Sequence, residues 1–255
     1  MTSENGSNSV DPQLEIWREP ARGGAWAPAL FALSGLDRSR TVIEGKSPRP
    51  PLNCLVGLQL TEVGVGKATF TMPASPWLVS PQGAITVGAL AILADGALGC
   101  AVQTALPPYT GFTTSELSLR VLRPAQVGTM LTAKGRLVHA GRRVALSEVM
   151  IEDAAGRLIA HGSSLCFVFP PDERVVPAPP PDLQPVPEEK YPTPHPYLRP
   201  VIGAVRPQEI WDKMSGLEVM IAGMTGELPP PPMRYLTGLR FLEATHGQSA
   251  KPSGF

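Results

Sequence analysis

One stretch of the chain, AITVGALAILADGALGCAVQTAL over 84–106, holds a single charged residue, Asp95. Its length and alanine content predict a helix capped at its start by Thr86, and its apolar character on nearly all sides predicts burial. A buried carboxylate without a partner is costly. Asp95 therefore either bonds neighbouring backbone at an interface or stands at a pocket as a base or nucleophile. Gly88 lies seven residues earlier, two turns back on the same face. A glycine in the first turn admits an acyl oxygen to the backbone N–H groups there, where the helix dipole favours negative charge. A carboxylate combined with a helix-start oxyanion site suits acyl transfer.

Other residue types point elsewhere only weakly. His139 and His161 are lone strand histidines without Cys or carboxylate at ligand spacing, so no metal site is expected. Cys54, Cys100 and Cys166 are odd in number, far apart and in apolar surroundings, which fits small core residues in a reducing compartment. No nucleophile elbow, P-loop or dinucleotide fingerprint is present. Lys+Arg and Asp+Glu number 22 each, so no basic excess draws nucleic acid or an anionic membrane. MTSENGSNSV lacks a basic and apolar leader pattern, and Asp95 and Gln103 interrupt the longest apolar stretch. A cytoplasmic location is expected, with no membrane insertion.

The elements that must position Asp95 are strands. LVGLQLTEV and GKATFTM alternate apolar and polar residues from Leu55 to Met72, with Gly64-Val65-Gly66 as the turn. After the helix, four more alternating segments are predicted as strands at 113–124, 129–140, 143–153 and 157–169. The order β-β-α-β-β-β-β implies an α+β unit, an antiparallel sheet whose apolar face closes on the one long helix.

The 255 residues include 30 prolines, well above the ~5% norm, so part of the chain is expected to be linker. Twelve prolines fall within residues 170–200, which reads as an extended spacer. On its two sides the sequence repeats. Ser34-Gly35-Leu36 recurs as Ser215-Gly216-Leu217, and the same offset of 181 aligns Pro50-Pro51, Leu55, Gly57-Leu58, Glu62 and Gly66 with Pro231-Pro232, Leu236, Gly238-Leu239, Glu243 and Gly247. Over 34–66 there are 12 identities without a gap. The expected organisation is a helical or irregular segment at 1–49, a complete unit at 50–170, a proline-rich linker at 171–206, and at 207–255 a helix (208–224) with the start of an incomplete second unit.

Residues 50–170 resemble hotdog-fold thioesterases of the PaaI-like group. The resemblance is carried by SPQGAITVGALAILADGALG, TTSELSLRVLRPAQVGTMLTAKGRL and HAGRRVALSEVMIEDAAGRLIAHGS, and it covers about half the chain. It implies a hotdog fold, an antiparallel sheet wrapped around a long central helix, and hydrolysis of acyl-CoA or related acyl thioesters without a metal or separate cofactor, coenzyme A being part of the substrate. Asp95 matches the helix carboxylate that activates water or attacks the thioester. Gly88 matches the second glycine of a His-Gly-Gly signature whose N–H forms the oxyanion hole; the signature here reads Thr86-Val87-Gly88. Thr114 matches a hydroxyl that orients water, and Ser80 falls where many members carry Asn or Gln. Arg123, Pro124, Arg142 and Arg143 fall where members touch the pantetheine and phosphates of CoA. The resemblance also implies pairing of two hotdog units with active sites across the interface, hence a homodimer or a dimer of dimers. The alternative is a unit that lost turnover with the signature histidine and serves as an acyl-ligand-binding or dimerisation module.

Overall fold

A computed structural model of the chain describes residues 16–169, 171, 179, 181–187 and 189–250. Two compact units are present. The larger spans Ala21–Leu78 and Ala84–Arg199, and the smaller gathers 16–20, Val79–Gly83 and 200–250 among the described residues.

The larger unit is a six-stranded antiparallel sheet around one long helix, the hotdog fold. Its elements are α1 (Gly35–Ile43), α2 (Pro51–Val56), β1 (Gln59–Gly64), β2 (Lys67–Pro73), α3 (Val87–Gln103), β3 (Gly111–Val121), β4 (Met130–Ala140), β5 (Val144–Glu152) and β6 (Leu158–Phe169). The strand order is β1-β2-β4-β5-β6-β3, which leaves β1 and β3 at the edges. The four inner strands β2, β4, β5 and β6 place buried residues at alternate positions, so one sheet face closes on α3, while the edge strands β1 and β3 carry no fully buried residue. The small residues of α3 permit a close approach. A Cβ at Gly135 of β4 would lie 2.2 Å from the carbonyl oxygen of Ala97, so only glycine fits there. The core at this contact includes Leu90, Leu93, Leu98, Leu131, Val149 and Ile151.

Two expectations are corrected in this unit. The strand expected from Leu55 begins only at Gln59, because residues 51–56 form α2. Pro51 occupies the first helical position, where its missing N–H costs nothing, and Gly57 ends the helix in the left-handed region at φ 77°. The expected all-round burial of α3 also fails. Its sheet face is buried, but Val87, Gly88 and Asp95 are exposed.

In the smaller unit, the helix expected over 208–224 is two helices, α4 (Gln208–Lys213) and α5 (Gly216–Thr225). Ser215 interrupts them with a capping box, bonding the N–H of Glu218 while the Glu218 carboxylate bonds the N–H of Ser215. Then come α6 (Pro232–Thr237) and the hairpin β7 (Glu243–Thr245) and β8 (Gln248–Ala250). These elements recur at the sequence offset. Ser34 caps α1 through the N–H of Asp37 as Ser215 caps α5 through that of Glu218. The span of α6 is that of α2 displaced by 181 residues, and Gly238 ends it at φ 71°. The hairpin pairs Glu243 with Ala250 where the larger unit pairs Glu62 with Thr69, again 181 residues on.

Candidate active site

Helix α3 begins where Thr86 Oγ1 accepts the N–H of Ala89 at 3.2 Å, the expected cap. Its sheet-facing stripe is Leu90, Leu93, Ala94, Ala97, Leu98 and Ala101. The opposite stripe, Ile92, Asp95, Gly96, Gly99, Cys100 and Gln103, follows the helical period and lines a cavity of about 290 Å³. Asp95 stands on this stripe as an exposed residue. The burial cost first assigned to it therefore does not apply, and its case rests on geometry instead.

That geometry is supplied by β3. Thr114 Oγ1 donates to Asp95 Oδ1 at 2.9 Å, and Oδ2 has no partner among the described residues. A bulge follows at once. Thr114 pairs with Cys166 and Glu116 with Leu165, so Ser115 is the extra residue, and its hydroxyl donates to the Leu165 carbonyl at 2.9 Å. Bulges re-aim side chains beside sites. Here the bulge changes the phase of the strand after Thr114, leaving Glu116 exposed and Leu117 partly buried. Thr114 thus faces the helix without bringing a second carboxylate in behind it.

The cavity is largely apolar. Gly96 and Gly99 form its floor, where a Cβ at Gly99 would meet the Phe112 ring at 3.2 Å. Its walls and roof come from Phe112, Phe70, Leu58, Leu52, Asn53, Val42 and Trp26. Sequence reading overlooked every one of these. The Gly96, Gly99 and Cys100 positions on the Asp95 face were a usable signal, since small residues there leave room above a helix. The roof residues carry no local sign of their role. Cys100 also lines the cavity. Burial pushes its thiol up to about 11, and it donates to the Ser39 hydroxyl at 3.6 Å.

The remaining expected site residues lie apart from this pair. Gly88 is exposed at the second helical position, and a Cβ there would meet nothing within 4 Å. Packing within the unit does not require glycine at that point. The N–H groups of Val87 and Gly88 precede the first intrahelical hydrogen bonds and have no acceptor among the described residues. Gly88 stands about 10 Å along the helix axis from Asp95, and neither it nor Thr86 lines the cavity. Ser80 belongs to the smaller unit, where its hydroxyl accepts the N–H of Gln82 at 3.3 Å. Arg123 donates to the Leu158 carbonyl at 2.8 Å, beside exposed Pro124. It follows Thr114 by nine residues, roughly 30 Å of extended strand. Arg142 and Arg143 are exposed in the β4–β5 turn. The register puts this turn at the Thr114 end of the sheet, since Val144 pairs with Phe167 and Phe167 with Thr113. One copy of the unit therefore unites Asp95 with Thr114, and leaves Arg123 at the far end of the sheet from Arg142 and Arg143.

Comparison with known proteins adds the following. The family model of the thioesterase superfamily matches residues 82–160. No curated protein matches the chain. Among solved structures, the PaaI protein from the phenylacetic acid degradation operon of E. coli is 18% identical, with 54% of this chain and 95% of that chain covered and a TM-score of 0.48. A phenylacetic acid degradation-related protein from Ralstonia eutropha JMP134 is 25% identical over 51% of this chain and 98% of that one, with a TM-score of 0.47. A Streptococcus mutans UA159 protein bound to acetyl-CoA is 20% identical over 44% and 88%, with a TM-score of 0.41. The matched stretch begins just before α3, which carries Asp95, and runs through the bulged strand with Thr114 to the start of β6. Residues 82–160 thus match the thioesterase superfamily model, and the six-stranded sheet around α3 to which they contribute has the hotdog fold.

Proposed function

We propose that the chain hydrolyses acyl-CoA thioesters, with Asp95 as the group that delivers water to the thioester carbonyl. The observation that carries this reading is the Asp95–Thr114 hydrogen bond at the edge of an apolar cavity. Thr114 fixes one carboxylate oxygen and leaves the other for a water molecule. That oxygen takes a proton as the water oxygen bonds to the carbonyl carbon. The tetrahedral oxyanion needs donors, and the N–H groups of Val87 and Gly88 at the helix start supply them where the dipole favours negative charge. When the C–S bond breaks, the proton on Asp95 passes to the departing CoA thiolate. The products are a carboxylic acid and free CoA.

The two halves of this machinery stand about two turns apart on one helix. They meet when two copies pair, with Asp95 and Thr114 of one beside the helix start of the other. We therefore read the active form as a homodimer joined near the β3 edge, which has no strand partner among the described residues. The Arg142–Arg143 turn, at the Thr114 end of the sheet, is the better of the two arginine groups for CoA phosphates. The repeat of caps, helix spans and hairpin register supports reading 215–250 as the opening of a second hotdog unit.

Hydrolysis of a panel of acyl-CoAs by the purified chain, followed by release of free thiol, tests the activity. Release that depends on Asp95 upholds the reading. Tight acyl-CoA binding without release replaces it with the acyl-ligand-binding module.

A further inference from the structure

The roof of the cavity is built from two pieces of chain that do not hold themselves in place. One is the irregular stretch 21–27, which carries Trp26. The other is α2, a helix of six residues that carries Leu52 and Asn53. A helix this short is not stable alone. Both pieces are gripped by residues 189–199, part of the proline-rich run expected to be a spacer.

The grip on the first piece is specific. Arg22 Nη1 donates to the Thr193 carbonyl at 2.8 Å and Nη2 to the Thr193 hydroxyl at 2.6 Å. The Arg22 guanidinium stacks 4.5 Å above the Tyr191 ring. The Gly23 N–H donates to the Tyr191 hydroxyl at 2.9 Å, three residues before Trp26. The second piece is held at its end, where the Tyr197 ring packs on Gly57, the residue that caps α2. The segment is itself anchored. The Trp77 indole donates to the Arg199 carbonyl at 3.0 Å, and Arg199 Nη2 donates to the Thr193 hydroxyl at 3.0 Å. Within it His195 stacks on Tyr197 at 5.9 Å and meets Tyr191 edge-on at 5.8 Å. Proline in this run limits the freedom lost on docking.

We propose that residues 189–199 are a latch that holds the roof of the acyl cavity and thereby sets which apolar acyl groups the site accepts. The proposal rests on the thioesterase reading of this site and extends it to acyl-group size. The cavity is about twice the ~150 Å³ that admits a benzene, so an acyl group of medium length fills it to the roof. An acetyl group reacts at Asp95 without reaching Trp26 or α2. Loosening the latch weakens binding of the longer group alone.

The test uses the full chain carrying Tyr191→Phe and Thr193→Val together. These near-isosteric changes remove the nearer acceptor of the Gly23 N–H, whose other acceptor is Glu189 Oε2 at 3.4 Å, and the hydroxyl shared by Arg22 and Arg199. The KM for octanoyl-CoA is expected to rise on the order of tenfold, with kcat unchanged. Both constants for acetyl-CoA stay at the wild-type level, and Thr193→Ser alone behaves as wild type. Equal changes for the two substrates, or no change for either, overturn the latch. If the double variant does not fold, Thr193→Val alone is measured in the same way. If the wild-type chain hydrolyses neither substrate, the thioesterase reading fails, and the latch is then judged on binding. A selective loss of octanoyl-CoA affinity relative to acetyl-CoA upholds it, and unaltered affinity for both overturns it.

Discussion

At the scale of single residues the account rests on a carboxylate and a hydroxyl 2.9 Å apart. Asp95→Asn keeps the shape of the side chain and a hydrogen-bond acceptor for Thr114, and removes the base. Hydrolysis is expected to fall by a factor on the order of 10² or more, the usual scale for a positioned base. The melting temperature should hardly move, because Asp95 is exposed. Thr114→Val removes only the group that orients the carboxylate. Its expected cost in kcat is smaller, on the order of tenfold, and Thr114→Ser should restore most of the rate; steady-state kinetics on the three variants separates these outcomes. Asp95 was legible in sequence as the lone charge in an apolar helix. Its exposure was not, because an all-apolar stretch does not reveal which of its faces lacks a cover. Thr114 came from resemblance alone. The bulge at Ser115 that directs it depends on the pairing of β3 with β6, which a one-dimensional alternation cannot show.

At the scale of elements, α3, its Thr86 cap and the succession of strands along the chain could be read because each follows a local period or a capping rule, whereas the order of the strands in the sheet could not. Helix α2 could not, since its Leu-Val-Gly end runs straight into the alternation of β1. The docking of 189–199 was also hidden. Proline content reports stiffness and says nothing of what a stiff segment lies against. That segment carries a pH dependence. Burial first, then the nearby charges of Arg49, Arg22 and Arg199, hold the His195 imidazole below its ordinary value, with the Tyr191 and Tyr197 rings on either side. The folded protein thus binds this proton less readily than the unfolded chain does. The stability is complete above the ordinary histidine value, about 6.5, and declines as pH falls below it. Melting curves between pH 7.5 and 5.5 should show the wild-type chain losing stability faster than His195→Gln. Parallel curves would remove His195 from the account. A second prediction concerns the close contact of helix and sheet. Gly135→Ala forces a Cβ against the Ala97 carbonyl at 2.2 Å and should destabilise the unit by about 1–3 kcal/mol, read by denaturant unfolding.

At the scale of the whole molecule, the proposed mechanism calls for assembly, because Gly88 and Asp95 stand about two turns apart on one helix. Light scattering at micromolar concentration is expected to give at least twice the mass of one chain, and a monomer mass would leave the oxyanion donors without a carboxylate beside them. The repeat at an offset of 181 was visible as 12 identities. What the sequence could not convey is how far it extends into structure, down to matching helix caps and the same hairpin register. Only the resemblance, and no periodic mark along the chain, pointed to machinery shared between two units. The central claim is that this hotdog unit turns over acyl thioesters through Asp95, and one measurement tests it most directly. Release of free CoA from octanoyl-CoA is followed for the wild-type chain and for Asp95→Asn at matched concentration and confirmed fold. The account predicts steady release by the wild type and a rate lower by a factor on the order of 10² in the variant. Equal rates in the two proteins, or no release by the wild type, would contradict it.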